Sequence, residues 1–136
     1  MNNTKRKWLS AALILILFST ALISFDPRVH ARKFVARWGD RVEESLAAGQ
    51  GVPDGAGEYW SNEKMIEFTL TAKGLVPSSS YYGCYYSFED VPLASANAHA
   101  ELVPAGENVW QWQGEGDNHG LTEKIRDHWY YFEAHF

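Results

Sequence analysis

The sequence predicts an α+β fold: one amphipathic helix packed on an antiparallel β-meander of about four or five strands, preceded by an N-terminal signal or transmembrane helix. Three observations predict it. Trp8 to Phe25 carry no charge; Ala31, Val35, Trp38, Val42 and Leu46 recur at helical spacing; and from Lys64 onward apolar and polar residues alternate in short runs broken by turn residues. The chain accordingly divides into a signal anchor over 1–25, a juxtamembrane amphipathic helix over 26–49 and an aromatic β-rich part over 50–136, the last two packed as one domain.

Lys5-Arg6-Lys7 precedes the uncharged run, the order of a basic n-region and an apolar h-region. The eighteen residues of that run make about 27 Å of helix at about 1.5 Å per residue, close to a hydrocarbon core of about 30 Å. That length favours an uncleaved single-pass anchor over a secretory h-region of about 7 to 15 residues. The alternative is cleavage after Ala31, because Val29-His30-Ala31 puts small residues at the −3 and −1 positions. A bare count of Lys and Arg on the two flanks slightly favours a cytoplasmic domain, whereas the basic cluster directly before the run is the signal architecture and points to an extracytoplasmic one.

The helix starts at Pro27, whose fixed φ suits a first turn, with Asp26 as N-cap, and runs to about Ala48 before Gly49 and Gly51. Gly39 in its interior costs about 1 kcal/mol relative to Ala. Residues 50 to 57, rich in glycine, read as a loop. Lys64 to Thr71 alternate as a half-buried strand with Ile66, Phe68 and Leu70 on one face. Tyr81 to Phe88 form a second strand, Val109 to Gln113 a further one and Asp127 to Phe136 the last, with His99 to Val103 as a short edge strand.

Charge is distributed unevenly. Residues 1–41 carry +6 and residues 42–136 carry −11, so the sheet region repels phosphate backbones and a nucleic-acid partner is disfavoured. The basic stretch from Arg28 to Arg41 fits an anionic-lipid contact beside the anchor, neutralisation of the acidic domain, or a cytoplasmic flank. Cys84 is the single cysteine, so no intramolecular disulfide forms.

Gly74-Leu-Val-Pro-Ser-Ser, Tyr82-Gly83-x-Tyr85-Tyr86-Ser87, Asp90-Val91-Pro92-Leu93, Trp110-x-Trp112, Gly116-Asp117-Asn118, Thr122-Glu123-x-Ile125 and the terminal Trp129-Tyr-Tyr-Phe-Glu-Ala-x-Phe136 together span roughly the last half of the chain. This pattern resembles a group of small exported or membrane-anchored proteins of anaerobic Gram-positive bacteria that has no assigned function. The resemblance therefore implies an address and no activity. In that pattern Phe is expected where Cys84 stands, which implies a core filler rather than a reactive thiol.

No catalytic set stands out, and no cofactor or metal is predicted. Glu115, Asp117 and Asn118 in the run up to His119, with Glu123 and Asp127, suggest oxygen ligands for Ca²⁺, but an EF-hand loop counted from Glu115 needs Glu at its last position and meets Arg126, so turn chemistry is the better account. His119, His128 and His135 match no zinc spacing, and strand alternation sends the last two to opposite faces. Cys84 in phase with Tyr82 and Tyr86 is a poor nucleophile, and Glu58, Glu63, Glu89 and Asp90 flank turns without an acid/base spacing.

The aromatics carry the functional expectation. Alternation in the last strand makes Tyr130, Phe132, Ala134 and Phe136 the core set. The other set includes Glu133 and His135, costly to bury unpaired, so Trp129 and Tyr131 are expected to face water. With Tyr81, Tyr85, Trp110 and Trp112 they would form a binding platform for a protein segment or a glycan, unless the loops at 50–62 and 91–108 cover that face. An exposed strand edge offers a second docking mode. The sequence thus predicts a membrane-anchored or secreted binding module; a structural subunit of an envelope complex and a small hydrolase or metal-dependent enzyme are the alternatives. A reporter enzyme active only outside the cytoplasm, fused after Phe136, is expected to be active in cells; a stable but inactive fusion would contradict the exported address.

Overall fold

The structure, a computed structural model, describes residues 26–75, 77–96 and 98–136, so the uncharged segment lies outside the described residues. Among the described residues, no helix is long and apolar enough to cross a membrane. In the described residues one helix, α1 (Pro27–Ala47), packs on a seven-stranded, fully antiparallel sheet rather than one of four or five strands. The strands are β1 (Trp60–Ser61), β2 (Met65–Leu75), β3 (Ser78–Ser87), β4 (Val103–Gly106), β5 (Val109–Gln113), β6 (His119–Arg126) and β7 (Trp129–His135).

The helix forms as its sequence dictates. Asp26 Oδ1 accepts from the Arg28 N–H at 2.9 Å, Pro27 occupies the first turn, and Ala31, Val35, Gly39 and Val42 form the buried stripe. Gly39 has a packing reason: a Cβ there would run into the Arg126 guanidinium, which reaches over the helix to Asp40 Oδ1 at 2.7 Å and Glu43 Oε1 at 2.8 Å. The propensity cost of that glycine makes room for two ion pairs between α1 and β6.

The sheet is not a simple meander. Its order is β1-β2-β3-β7-β6-β5-β4, two meanders joined where β3 lies beside β7. The chain therefore leaves β3 in mid-sheet and must reach the far edge before β4 begins. It does so as an extended arm, and Leu93, Ala94, Ala96, Ala98, Ala100 and Leu102 of that arm pack onto the sheet face opposite α1. The short edge strand is Val103–Gly106, beyond the expected His99 to Val103, because 99 to 102 belong to the arm.

Cross-strand register decides the faces. Tyr85 pairs with Tyr130, Cys84 with Tyr131 and Tyr86 with Trp129, so Tyr82, Cys84 and Tyr86 share the α1 face with Trp129 and Tyr131. On the arm face lie Tyr85, Tyr130, Phe132 and Trp112; small partners, Gly83 opposite Phe132 and Gly120 opposite Trp112, leave room for their rings. Trp129 is 0% and Tyr131 1% exposed, Tyr130 1% and Phe132 1%, so both faces are core. The expected wet face is dry because Glu133 and His135 are paired. Glu133 meets Arg28 at 3.7 Å and the Tyr131 hydroxyl at 3.1 Å, and His135 Nδ1 lies 2.8 Å from Ser80 Oγ. Since both faces are packed, Trp129→Ala is expected to destabilise the fold as much as Phe132→Ala, by about 3–5 kcal/mol each in urea unfolding.

Candidate functional site

The six aromatics expected to form one platform do not share a face. Trp129 and Tyr131 lie beneath α1, where the Trp129 indole N–H donates to Glu43 Oε1 at 2.8 Å and the Arg28 guanidinium sits 5.1 Å from the Tyr131 ring. Tyr85, Tyr81, Trp110 and Trp112 lie on the opposite face with the arm. Tyr85 is the fastening point of that arm: its hydroxyl donates to Leu93 O at 3.0 Å, accepts from the Leu93 N–H at 2.8 Å and lies 2.7 Å from Thr122 Oγ1. Burial pushes the Tyr85 phenol up, as it does Tyr131, so both are neutral packing groups. The six side chains therefore form no single surface: Trp129 and Tyr131 are buried beneath α1, Tyr85 and Trp112 are buried on the arm side, and Tyr81 and Trp110 are half-buried there.

The other candidates separate as well. Cys84 is fully buried, and burial pushes its thiol up, so it acts as a small apolar filler. His119 and His135 stack at 4.7 Å between ring centroids, with His119 Nδ1 2.7 Å from Asp117 O. His128 precedes β7 in a left-handed turn (φ 65°) and therefore escapes strand alternation. It stacks on Tyr86, on the α1 face like the Tyr82–His135 pair but at the other end of the sheet. Among the described residues, no group of three His, Cys, Asp or Glu side chains could hold a metal ion. Asp90, also in a left-handed conformation (φ 53°), binds Lys124 Nζ at 2.9 Å, the His128 N–H at 2.8 Å and the Tyr130 hydroxyl at 3.0 Å, which clasps the start of the arm to β6 and β7.

With both faces covered, what stays open is an edge. Among the described residues β1 pairs with β2 only at Trp60–Glu67 and Ser61–Ile66, and β2 from Phe68 to Leu75 has no strand on its outer side. Along this stretch runs a groove of about 400 Å³, walled by Glu58, Tyr59, Trp60, Glu67 and Leu70 and floored by Thr69, Thr71 and Ala72. Tyr59 and Trp60 stay 51% and 47% exposed, Tyr59 with its ring 6.0 Å from Phe68.

The backbone polarity of the edge follows from the neighbours. Ser79 exchanges backbone bonds with Phe136 and the Ser87 N–H donates to His128 O on the β7 side, so the even-numbered residues of β3 turn toward β2. Ile66 and Phe68 lie opposite Tyr86 and Cys84 and bond inward, whereas Thr69 and Ala72, opposite Gly83 and Tyr81, turn their N–H and C=O groups outward. The register shift between Thr69 and Thr71 is a bulge that gives Leu70 to the α1 side.

No protein-family model matches the chain, and neither a curated protein nor a solved structure matches it. The reading of the site therefore rests on its geometry. Tyr59 and Trp60 were hidden in sequence, because a two-residue strand at the end of a glycine-rich loop leaves no alternation to detect. The one available signal was two adjacent large aromatics just before a strong strand.

The groove is acidic. Glu58 and Glu67 line it with no cationic side chain among the lining residues. Glu67 also holds the arm, accepting the Ala96 N–H at 2.9 Å and the Ser95 hydroxyl at 3.4 Å. Burial raises its carboxyl above the ordinary range, against the lowering effect of those two donors. A raised folded value favours the protonated form, so this residue adds stability as pH falls from neutral toward the ordinary Glu value of about 4.3. Glu67→Gln keeps an acceptor for Ala96; urea unfolding from pH 7 to 4 is expected to show the variant gaining less stability on acidification than the parent.

Proposed function

We propose that the chain is a non-enzymatic docking module, held at the cell membrane or exported, that captures an extended protein segment along the outer edge of β2. The observation that carries this reading is the unpaired run from Phe68 to Leu75 beside two exposed aromatic side chains. Added strands bind through main-chain hydrogen bonds and take specificity from pockets for alternate side chains. Thr69 and Ala72 supply the outward N–H and C=O groups, and the space between Trp60 and Leu70 supplies a place for one apolar side chain. Glu58 and Glu67 favour a segment that is neutral or basic there, and the −11 charge of residues 42–136 draws the same class of partner at longer range.

The address follows from the sequence. The basic cluster at Lys5 to Lys7 and the uncharged run from Trp8 to Phe25 support an anchor with the domain on the extracytoplasmic side, or an exported domain if the chain is cut after Ala31. The contrast between the two sheet edges supports a docking role for β2. At the other edge β4 is short, fully exposed and interrupted by Pro104, the usual means of blunting an edge against pairing. The free part of β2 carries Lys73 and the bulge at Leu70 but no proline, and the strand, at 11 residues, is long.

Selection of a random heptapeptide phage library on the immobilised full chain tests the proposal. Enriched peptides are expected to lose about 30-fold in affinity for Trp60→Ala, the loss of about 2 kcal/mol typical of an interface hot spot. They are expected to lose binding to Ala72→Pro, which removes an outward N–H while sparing the β3 ladder, with an unfolding free energy within about 1 kcal/mol of the parent. Peptides that bind Ala72→Pro and Trp60→Ala as well as the parent would contradict the edge as the site.

A further inference from the structure

Leu75, at the end of β2, is 87% exposed, more than any other large apolar side chain of the described residues. It sits at the tip of the β2–β3 hairpin, and between Lys73 and Glu89 the sequence carries no charged residue. The described residues leave almost all of this side chain in water, although Gly74, Pro77 and Ser78 around it are ordinary turn residues. Its place in the fold is what gives it meaning.

The helix α1 runs antiparallel to β7: Arg28 near its start contacts Tyr131 and Glu133, whereas Glu43 near its end contacts Trp129. The chain thus enters the domain at the level of Glu133, which pairs with Tyr82. From Tyr82 to Ser78, which faces Leu75, the hairpin continues four residues further in the direction from which the chain arrives, about 13 Å at about 3.3 Å per residue. The polar layer of a leaflet is only about 5–8 Å deep. If the uncharged run ending at Phe25 meets a bilayer on the side from which α1 begins, a tip projecting that far reaches toward the same surface.

The chemistry of this end fits such a surface. Lys73 lies directly behind the tip with its Nζ 5.6 Å from the Tyr82 ring, Tyr81 stacks edge-on against Phe136 nearby, and Arg28 and Arg32 at the helix start, though paired with Glu123 and Glu133, keep partly exposed guanidinium groups. Tyrosines and basic side chains behind an apolar tip are the residues that settle at the headgroup level. The β5–β6 hairpin reaches the same end with Glu115 and Asp117, with β7 between it and the β2–β3 hairpin, so the contact is confined to the β2 side.

We propose that the β2–β3 hairpin is a second membrane contact, which seats Leu75 in the interfacial layer of the bilayer entered by residues 8–25 and so fixes how the β2 edge is presented. The proposal rests on reading that segment as an anchor. The test uses the full chain reconstituted in phosphatidylcholine–phosphatidylglycerol vesicles, with an environment-sensitive fluorophore on Leu75→Cys or, as a control at the far end of the sheet, on Val91→Cys. Cys84 is buried and leaves the introduced thiol as the labelled one. Expected are a blue-shifted emission at position 75, quenched by at least twofold with spin-labelled lipid, and a water-like, unquenched emission at position 91. A chain that resists carbonate extraction but is as wet at 75 as at 91 overturns the hairpin contact alone. A chain that carbonate strips from the vesicles overturns the anchor reading and the proposal with it.

Discussion

The constraint on which this fold depends is that its central strands are aromatic on both faces, while α1 can cover only one. Trp129 and Tyr131 alternate with Tyr130 and Phe132 along β7, and every one of them is buried. Leaving either set in water would forfeit about 1.5–3 kcal/mol per large side chain, a large fraction of a domain's total stability. The fold meets the constraint through its topology. Because β3 pairs with β7 in the middle of the sheet, the chain must cross to the far edge, and the arm that crosses is the second cover.

The arm is held by polar contacts at separate points. Asp90 clasps its start, Tyr85 grips Leu93 through both backbone groups, and Glu67 receives Ser95 and Ala96. These groups are costly to bury alone and inexpensive once paired, so they specify where the arm lies while the alanines supply the packing. Glu67 has two attachments: it sits on β2 at the groove and carries the arm on the opposite face. Cover and edge are thereby linked through one side chain, and anything that shifts the arm bears on the groove.

Much of this was legible in the sequence, for identifiable reasons. The helix was readable because its stripe, its Asp26 cap and the Gly49 stop agree with one another, and β2, β3, β5 and β7 because their alternation is strong. The arm was not read as such, although Ala94, Ala96, Ala98 and Ala100 recur at every second residue. Alanine is small enough that its alternation resembles a loop. β6 was missed because Thr122-Glu123-Lys124 reads as a polar connection, when Glu123 is held by Arg28 at 3.1 Å and Arg32 at 2.7 Å. The two aromatic faces were assigned wrongly because alternation gives the phase of each strand alone. The register between β3 and β7, which puts Tyr85 with Tyr130, is a long-range property. The groove was invisible for a related reason: an edge is defined by the strand that is absent beside it.

The central claim is that the domain shields both faces of its sheet and leaves the outer edge of β2 open. Amide hydrogen exchange of the full chain, resolved by residue, tests it most directly. The account predicts slow exchange at Ile66 and Phe68, whose N–H groups bond to β3, and fast exchange at Thr69 and Ala72 in the same strand. Protection of Thr69 and Ala72 equal to that of their inward-bonded neighbours would show the edge already paired, and would contradict the account.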